Sequence, residues 1–264
     1  MSAAALKDWQ RHAWGAAPFE PLAETCAPVH DALVAALHLR PGERFLDVAT
    51  GTGAVALRAA RIGAMVTGID LAPEMVRTAR RLAQGAGVRI RFDVGDAERL
   101  PYRRASFDIV ASAQGVMFAL DAAAAARELA RVCRPGGRLG LSVLGPTPAN
   151  KAFFGAWRAF ARQPRGVDDP LDWGRPALLE RLLGPSFELD VEPLVAPLEA
   201  ESAEALWELQ RSCCGPLKLL FGSLSLAGRE ALRASVIHYY EGYRTARGVS
   251  APRDFVLVTG RRLD

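Results

Sequence analysis

An acidic residue stands beside a glycine-rich turn early in the chain. The segment FLDVATGTG, residues 45–53, runs an apolar stretch into Gly51 and Gly53, with Asp47 just before them. Glycines let a backbone approach a ligand closely, because no Cβ stands in the way. Residues 51–56 formally satisfy the G-x-G-x-x-G/A pattern of dinucleotide-binding turns. That pattern alone does not say which ligand tolerates the carboxylate.

The negative charge of Asp47 favours a cationic ligand over a dinucleotide. A pyrophosphate bound at the turn would be repelled by the carboxylate. S-adenosylmethionine contains an adenosine, as NAD does, but it carries a cationic α-amino group and a sulfonium in place of phosphates. Hydrogen bonds between charged partners are the stronger kind. We therefore expect S-adenosylmethionine as the cofactor and S-adenosylhomocysteine as its product.

Two further carboxylates follow predicted strands where an adenosine needs them. Asp70, in TGIDLAPEM, lies roughly twenty residues past the glycines, where a carboxylate can bind both ribose hydroxyls. Asp96, in VGDAERLPY, can accept a hydrogen bond from the adenine amine. Open α/β sheets bind ligands at the carboxyl ends of their strands. Each residue also fits a structural role: a turn hydrogen bond for Asp47, a helix cap for Asp70 and a turn for Asp96.

Alternating strand and helix patterns supply the elements that must position these residues. The apolar segments 45–49, 65–70, 88–94, 107–112 and 138–144 are typical of strands, and the segments 54–63, 73–85 and 121–133 are typical of helices. Strict alternation in VRIRFDV indicates a half-exposed strand at a sheet edge. We expect an α/β fold, doubly wound and Rossmann-like, with a mostly parallel seven-stranded sheet and helices on both faces.

The alternation of strand and helix patterns stops after residue 145. Helical patterns cover 149–163, 175–183 and most of 202–247, whereas 187–199 is extended and 255–262 is an apolar strand. A strand that returns after a long helical stretch predicts an insert that feeds back into the sheet. We expect a single domain over 1–264, with an N-terminal helical cap segment at 1–41, a cofactor-binding core at 42–148 and a helical lid insert over the acceptor site at 200–250.

Charge, cysteine content and hydropathy limit the partners and the location that we expect for the protein. The net charge is +4, from 33 basic and 29 acidic residues, and the arginines are scattered rather than grouped in a basic block, so we expect no nucleic-acid partner. The four cysteines have no C-x-x-C or His/Cys spacing, so we expect no metal site and reduced thiols. The N-terminus has no signal-peptide pattern, and no apolar run is long enough for a membrane span. We expect a cytoplasmic protein that contacts no membrane.

The motif series resembles the class I S-adenosylmethionine-dependent methyltransferases. The segments LDVATGTG, GIDLAPEMV, GDAERLPYRRASFDIV and ELARVCRPGGRL match successive motifs of that family in order and spacing. The likeness is greatest to the branch with the ubiquinone/menaquinone C-methyltransferases and many bacterial small-molecule enzymes. It implies that SAQGVMF, residues 112–118, lies near the reactive methyl group. It also implies a set of cofactor contacts: Asp47, Ala49, Gly51, Thr52, Gly53, Asp70, Leu71, Met75, Asp96, Ala97 and Gln114.

The resemblance does not identify the methyl acceptor. The chain has no Asn/Asp-Pro-Pro-Tyr/Phe signature, which argues against methylation of nucleobase or glutamine amino groups. Its N-terminal segment departs from the quinone enzymes, so a quinone substrate is not implied. We expect methyl transfer in line to O, N or C of a small molecule. An RNA methyltransferase is one alternative, and a cofactor-binding protein without methyl transfer is another.

Hydroxyl acceptors need a base, and histidine is the usual one near neutral pH. We expect His12 or His238 to serve, because both lie in segments that can cover the cofactor. His30 and His38 belong to a helical pattern before the first strand, where a structural role is more common. The expected acceptor contacts are Trp14, Trp207, Tyr239 and Tyr240. Aromatic and apolar residues of the insert suit a substrate pocket, an ordinary helix core or a homodimer interface.

Overall fold

A seven-stranded sheet organises the chain. The computed structural model describes residues 2–161 and 168–264. The described strands are β1 (Arg44–Val48), β2 (Met65–Asp70), β3 (Arg91–Val94), β4 (Phe107–Ala113), β5 (Cys133–Leu144), β6 (Phe187–Val195), β7 (Leu198–Ala200), β8 (Arg244–Thr245), β9 (Gly248–Ala251) and β10 (Asp254–Arg262). The main sheet has the order β3-β2-β1-β4-β5-β10-β6, and β7, β9 and β8 form a second, small sheet.

The first five strands are parallel, and β10 is antiparallel to both β5 and β6. Consecutive residues of β1 face opposite sides of the sheet, so Phe45 packs into one buried cluster and Leu46 into the other. Both faces are therefore covered, which confirms the expected doubly wound, mostly parallel seven-stranded sheet.

Eleven described helices surround the sheets. They are α1 (Ala3–Trp14), α2 (Glu20–Glu24), α3 (Ala27–Ala36), α4 (Ala54–Ile62), α5 (Pro73–Gly85), α6 (Ala122–Val132), α7 (Pro148–Arg158), α8 (Pro176–Leu183), α9 (Ala203–Cys213), α10 (Gly215–Ser223) and α11 (Leu226–Glu241). Local chemistry sets several of their starts. Pro73 opens α5, and Asp121 caps α6 by accepting from the Ala124 N–H at 2.8 Å. Within the described residues, no helix combines the length and apolar character needed to cross a bilayer.

Four element predictions need correction. Strand β3 begins at Arg91 rather than at 88, because it lies at the sheet edge and pairs only with the end of β2. Strand β5 begins at Cys133 rather than at 138, with an irregular register opposite Phe107. Residues 242–247 form turns and a short hairpin rather than helix, since Gly248 has a φ of 129° and β8 folds back onto β9. The described part of the helix predicted at 149–163 ends at Arg158, and residues 162–163 fall outside the described residues.

The insert between β6 and β10 packs against the N-terminal segment. Helix α9 contacts α2, and α10 contacts α1. The Lys218 ammonium donates to the Ala16 carbonyl at 3.0 Å, and a Cβ at Gly215 would stand 1.9 Å from the Ala13 carbonyl oxygen. The helices of the insert and the N-terminal segment therefore form one continuous layer.

Candidate active site

The first carboxylate lies beneath the glycine turn. Asp47 is the next-to-last residue of β1 and is only 1% exposed. Its Oδ2 accepts from the Thr50 hydroxyl at 2.6 Å and from the Ala56 N–H at 3.0 Å. Burial raises the pKa of Asp47 to about 7, and the nearby charge of Asp70 adds to the shift, whereas the two hydrogen bonds oppose it. Among the described residues, its Oδ1 has no hydrogen-bond partner and remains available to a cation.

The turn itself leaves space for a ligand. Ala49, Gly51 and Gly53 have φ values of 53°, 55° and 87°, in the left-handed region. A Cβ at Gly53 would contact Ala79 and Phe92 at 3.3 Å, so packing inside the protein explains that glycine. A Cβ at Gly51 would meet nothing within 4 Å. The open side of Gly51 is a place where a ligand can approach the backbone.

Asp70 accepts hydrogen bonds from both the glycine turn and the turn that follows β2. Its Oδ2 accepts from the Gly51 N–H at 2.8 Å, and its Oδ1 accepts from the Ala72 N–H at 2.9 Å. Burial raises the pKa of this carboxyl, and the two amide hydrogen bonds oppose the shift. Each carboxylate oxygen can accept a second hydrogen bond. The structural role that the sequence left open is therefore present, and it leaves capacity for two ribose hydroxyls.

Asp96 has a partner that the sequence did not predict. Its Oδ1 accepts from the Glu98 N–H at 2.9 Å, and its Oδ2 forms an ion pair with the Lys7 ammonium, which also contacts Glu98 Oε2 at 2.6 Å. Burial lowers the pKa of Lys7, but its hydrogen bonds to both carboxylates outweigh burial and leave that pKa raised. Lys7 comes from α1, so the N-terminal segment reaches the edge expected to bind adenine.

Helix α1 also covers the loop that follows β4. Gln10 Nε2 donates to the Phe118 carbonyl at 2.9 Å, and the Trp14 ring packs edge-on against Phe118 with centroids 4.9 Å apart. A cavity of about 290 Å³ is lined by residues 15–20 and, among others, by Thr52 and Met75. Leu71 and Ala97 are half-buried. Thr52 and Met75 thus line one cavity beside the turn, whereas the cofactor contacts themselves stay predictions.

Gln114 connects that loop to the sheet and to a buried histidine. It has a φ of 50°, and its backbone N–H donates to the Ser142 carbonyl at 2.7 Å. Its side-chain Oε1 lies 3.3 Å from His30 Nε2, and its Nε2 donates to the Ser142 hydroxyl. A Cβ at Gly115 would stand 2.4 Å from the Ala49 Cβ, so the loop packs directly on the glycine turn.

The catalytic role expected of two histidines stays a prediction. His12 on α1 and His238 on α11 are exposed, and neither imidazole has a hydrogen-bond partner within the described chain. His30, assigned to a structural role from its helical pattern, is buried and contacts Gln114. Periodicity within α3 could not reveal this contact, because the two residues are 84 positions apart.

Two of the four predicted acceptor contacts lie in the core of the insert. Trp207 is 1% exposed and packs against Phe221, with ring centroids 5.6 Å apart, so it supports the insert rather than facing a cavity. Tyr240 is equally buried, and its hydroxyl has no hydrogen-bond partner among the described residues. The Tyr239 hydroxyl donates to the Ala149 carbonyl at 3.4 Å.

Comparison with known proteins agrees with this geometry. A methyltransferase-domain family matches residues 46–141, from β1 into β5. The ubiquinone biosynthesis O-methyltransferase of Xanthomonas axonopodis pv. citri is 38% identical over 165 residues, which cover 61% of this chain and 69% of that protein. An uncharacterized protein of Mycobacterium tuberculosis is 42% identical over 180 residues, or 66% of this chain, and the match spans 64% of the mycobacterial protein. The crystal structure of the YcgJ protein from Bacillus subtilis superposes with a TM-score of 0.64 at 20% identity, covering 89% of this chain and 98% of that one.

The chain belongs to the class I S-adenosylmethionine-dependent methyltransferases. As a member of that family, it uses S-adenosylmethionine as its cofactor. The open side of Gly51, the available Oδ1 of Asp47 and the spare acceptor capacity of Asp70 fit that molecule without requiring a partner for any phosphate.

The Lys7 ion pairs are expected to fasten α1 over the adenine edge. We expect Lys7→Ala to reduce the free energy that holds α1 in place by about 0.5–1 kcal/mol, because the three side chains are only partly exposed. Amide hydrogen exchange in α1 should become about two- to fivefold faster. Lys151→Ala, on the exposed face of α7, is the matched control. Unchanged exchange in Lys7→Ala would show that the ion pairs do not hold the helix.

Proposed function

We propose that the chain transfers the methyl group of S-adenosylmethionine in line to an O, N or C atom of a small molecule. The observation that carries the proposal is the cover over the cofactor edge. Helix α1 packs on the loop after β4, and the insert packs on α1 and α2. The space beside Thr52 and Met75 is a cavity of about 290 Å³, close to the lower limit of small-ligand sites.

Alignment of donor and acceptor supplies much of the rate in a displacement of this kind. The cofactor provides the electrophilic methyl group. In the proposed arrangement, Asp47 binds the α-amino group and Asp70 binds the ribose, which fixes the direction in which the methyl points. The loop at 114–118 and the cover formed by α1 exclude water from the reacting atoms.

An RNA substrate is less favoured by the distribution of charge. A larger cavity, of about 720 Å³, is lined in part by Arg44, Arg89, Arg91 and Arg103. It lies at the amino ends of β1–β4, the edge opposite to the glycine turn. Asp108 and Asp93 already pair with Arg44 and Arg91. A polyanion bound there would lie far from the methyl donor.

The proposal is tested by incubating the purified protein with S-adenosylmethionine and a panel of alcohols, phenols, amines and activated carbon acids. Mass spectrometry should find S-adenosylhomocysteine and a methylated product in equal amounts for at least one small molecule. Release of S-adenosylhomocysteine only with added RNA would contradict it.

Asp70 offers a quantitative test of the cofactor pose. We expect Asp70→Asn to weaken binding of S-adenosylmethionine at least about tenfold, because charge-assisted hydrogen bonds are worth roughly 1.5–3 kcal/mol each. Titration calorimetry measures the affinity, and circular dichroism confirms the fold. Asp190→Asn, exposed on β6, is the control for loss of one carboxylate. Equal affinity in Asp70→Asn and the wild type would mean that the ribose lies elsewhere.

A further inference from the structure

The larger cavity lies at the end of the sheet opposite to the glycine turn. Its volume of about 720 Å³ is within the range of small-molecule sites. Residues 101–103 and 106, from the connection between β3 and β4, form one wall. The first residues of four neighbouring strands also line it: Arg44, Met65, Arg91 and Phe107. Asp47 and Asp70 lie near the other ends of β1 and β2, so the cavity is separate from the expected cofactor site.

Arginine is the only charged residue type among the described residues that line this cavity. Four exposed arginines contribute: Arg44, Arg89, Arg91 and Arg103. Ile90 and Phe92 pack against a buried cluster, so the alternation of side chains directs Arg89 and Arg91 away from the core. A cleft lined by charges of one sign concentrates ions of the opposite sign. The cavity therefore favours an anionic ligand.

Carboxylates outside the cavity pair with two of the four arginines. Asp108 accepts from Arg44 at 3.1 Å, but it also accepts from Arg134 at 2.5 Å, so two guanidinium groups share one negative charge. Asp93 pairs with Arg91 at 2.9 Å. These acidic residues are occupied by their own partners and leave the remaining positive charge of the cavity without compensation.

Arg89 and Arg103 carry that remaining charge. Within the described chain, neither guanidinium group has an ion-pair or hydrogen-bond partner. Charged side chains on an edge strand discourage pairing with another chain, which accounts for Arg91 on β3. That reason does not apply to Arg103, which lies in the connection between strands. Like charges around one cavity repel each other, and a bound anion would remove that repulsion.

The cavity also has an apolar part. Met65, the first residue of β2, is 58% exposed, although it belongs to a strand of the central sheet. Pro101 is exposed and Tyr102 is half-buried in the same cavity. A methionine side chain adapts to ligands of irregular shape, and an arginine can stack on an aromatic ring. The lining thus suits a ligand with both an anionic and an apolar or aromatic part.

We propose that this cavity binds a small organic phosphate. Arg89 and Arg103 hold the phosphate, because the guanidinium fork matches the geometry of phosphate oxygens. Met65 and Tyr102 contact the organic part. The two arginines without partners line one cavity rather than a long stripe, which fits a single phosphate better than the many phosphates of a nucleic-acid strand. The site goes beyond the proposed function, because it lies away from the methyl donor.

Phenyl phosphate, phenol and inorganic phosphate separate the two parts of the proposed ligand. Each is titrated into ¹⁵N-labelled protein saturated with S-adenosylhomocysteine, so that the cofactor end is occupied. We expect phenyl phosphate to bind saturably, with amide shifts concentrated around Thr67, Arg89 and Ser106. Phenol should cause no such shifts, and inorganic phosphate should bind at least about threefold more weakly. Added salt should weaken the binding of phenyl phosphate.

Variants assign the two parts of the ligand to residues. Arg89→Gln combined with Arg103→Gln should weaken the binding of phenyl phosphate and of inorganic phosphate about three- to tenfold. Met65→Ser should weaken only phenyl phosphate, by about two- to threefold. Arg233→Gln, at an exposed position of α11, is the matched control for loss of an arginine. Circular dichroism and an unchanged affinity for S-adenosylhomocysteine confirm that each variant is folded.

No saturable binding of phenyl phosphate, or equal binding by the double variant and the wild type, would overturn the proposal. Equal affinities for inorganic and phenyl phosphate would contradict an organic ligand. A single-stranded RNA that binds more than about tenfold tighter than phenyl phosphate, and loses affinity in the double variant, would make a polyanion the occupant instead. These readouts require no methyl transfer, so they are independent of the proposed function.

Discussion

Asp47→Asn is expected to weaken binding of S-adenosylmethionine by about 10- to 150-fold and to stabilise the cofactor-free protein at pH 8. The affinity loss follows from removing a charge-assisted hydrogen bond to the α-amino group, worth about 1.5–3 kcal/mol. The gain in stability follows from burial, since Asp47 is 1% exposed and its pKa is raised to about 7.

The pH dependence of stability has a definite sign. The folded pKa lies above the ordinary value of 3.8, so between about pH 4 and pH 7 the native state binds a proton that the unfolded state has released. The contribution of Asp47 to the free energy of unfolding therefore falls as pH rises through that window and is constant above it. Each pKa unit corresponds to about 1.4 kcal/mol, which sets an upper limit of about 4 kcal/mol at pH 8.

Thermal unfolding at pH 5 and pH 8 measures this effect. Asp47→Asn should exceed the wild type in stability at both pH values, and by a larger margin at pH 8 than at pH 5. Binding of S-adenosylmethionine to the wild type should strengthen from pH 6 to pH 8, because the cationic amino group favours the charged carboxylate. Asp190→Asn should show neither change. A cofactor affinity independent of pH, together with unaltered binding in Asp47→Asn, would remove Asp47 from the cofactor site.

Trp207→Ala is expected to destabilise the protein by about 3–5 kcal/mol, as is usual when a large buried ring is removed. Trp207 is 1% exposed, lies in α9 and packs against Phe221 of α10, so its loss leaves a cavity inside the insert. Chemical denaturation followed by far-ultraviolet circular dichroism measures the change. A folded Trp207→Ala protein of wild-type stability that no longer accepts substrate would show that the ring faces the pocket after all.

Tyr240→Phe is the matched variant in the same core. It keeps the ring and removes only a buried hydroxyl that has no partner among the described residues. Its stability should therefore stay within about 1 kcal/mol of the wild type or rise, because no hydrogen bond within the described chain is lost. The contrast with Trp207→Ala separates packing of the insert from polar contacts to an acceptor.

Local sequence patterns predicted much of the cofactor-binding half of the fold. The glycine turn and the acidic residues at strand ends depend on short segments, and parallel strands bring their carboxyl ends to one edge. Asp47 and Asp70 accordingly lie on neighbouring strands, as expected. Contacts between distant segments had no local signature. Lys7 reaches Asp96 across 89 positions, and His30 reaches Gln114 across 84.

The apolar pattern of the insert also had a limit. Helical periodicity located α9–α11, but it could not say whether an aromatic residue faces a substrate or a neighbouring helix. Trp207 packs inside the insert. Its residue type suits a substrate pocket equally well, so the sequence could not distinguish the two positions. The end of the helical stretch was missed because Gly248 and the hairpin of β8 with β9 depend on pairing with β7.

The most direct test of small-molecule methyl transfer follows a labelled methyl group. The protein is incubated with methyl-labelled S-adenosylmethionine and an extract of small metabolites, RNA and protein, and the label is measured in each fraction. We predict that it appears in the small-molecule fraction in step with S-adenosylhomocysteine, and that Asp70→Asn slows its transfer at subsaturating cofactor. Label in the RNA fraction, or no transfer by protein that binds S-adenosylmethionine, would contradict the proposed function.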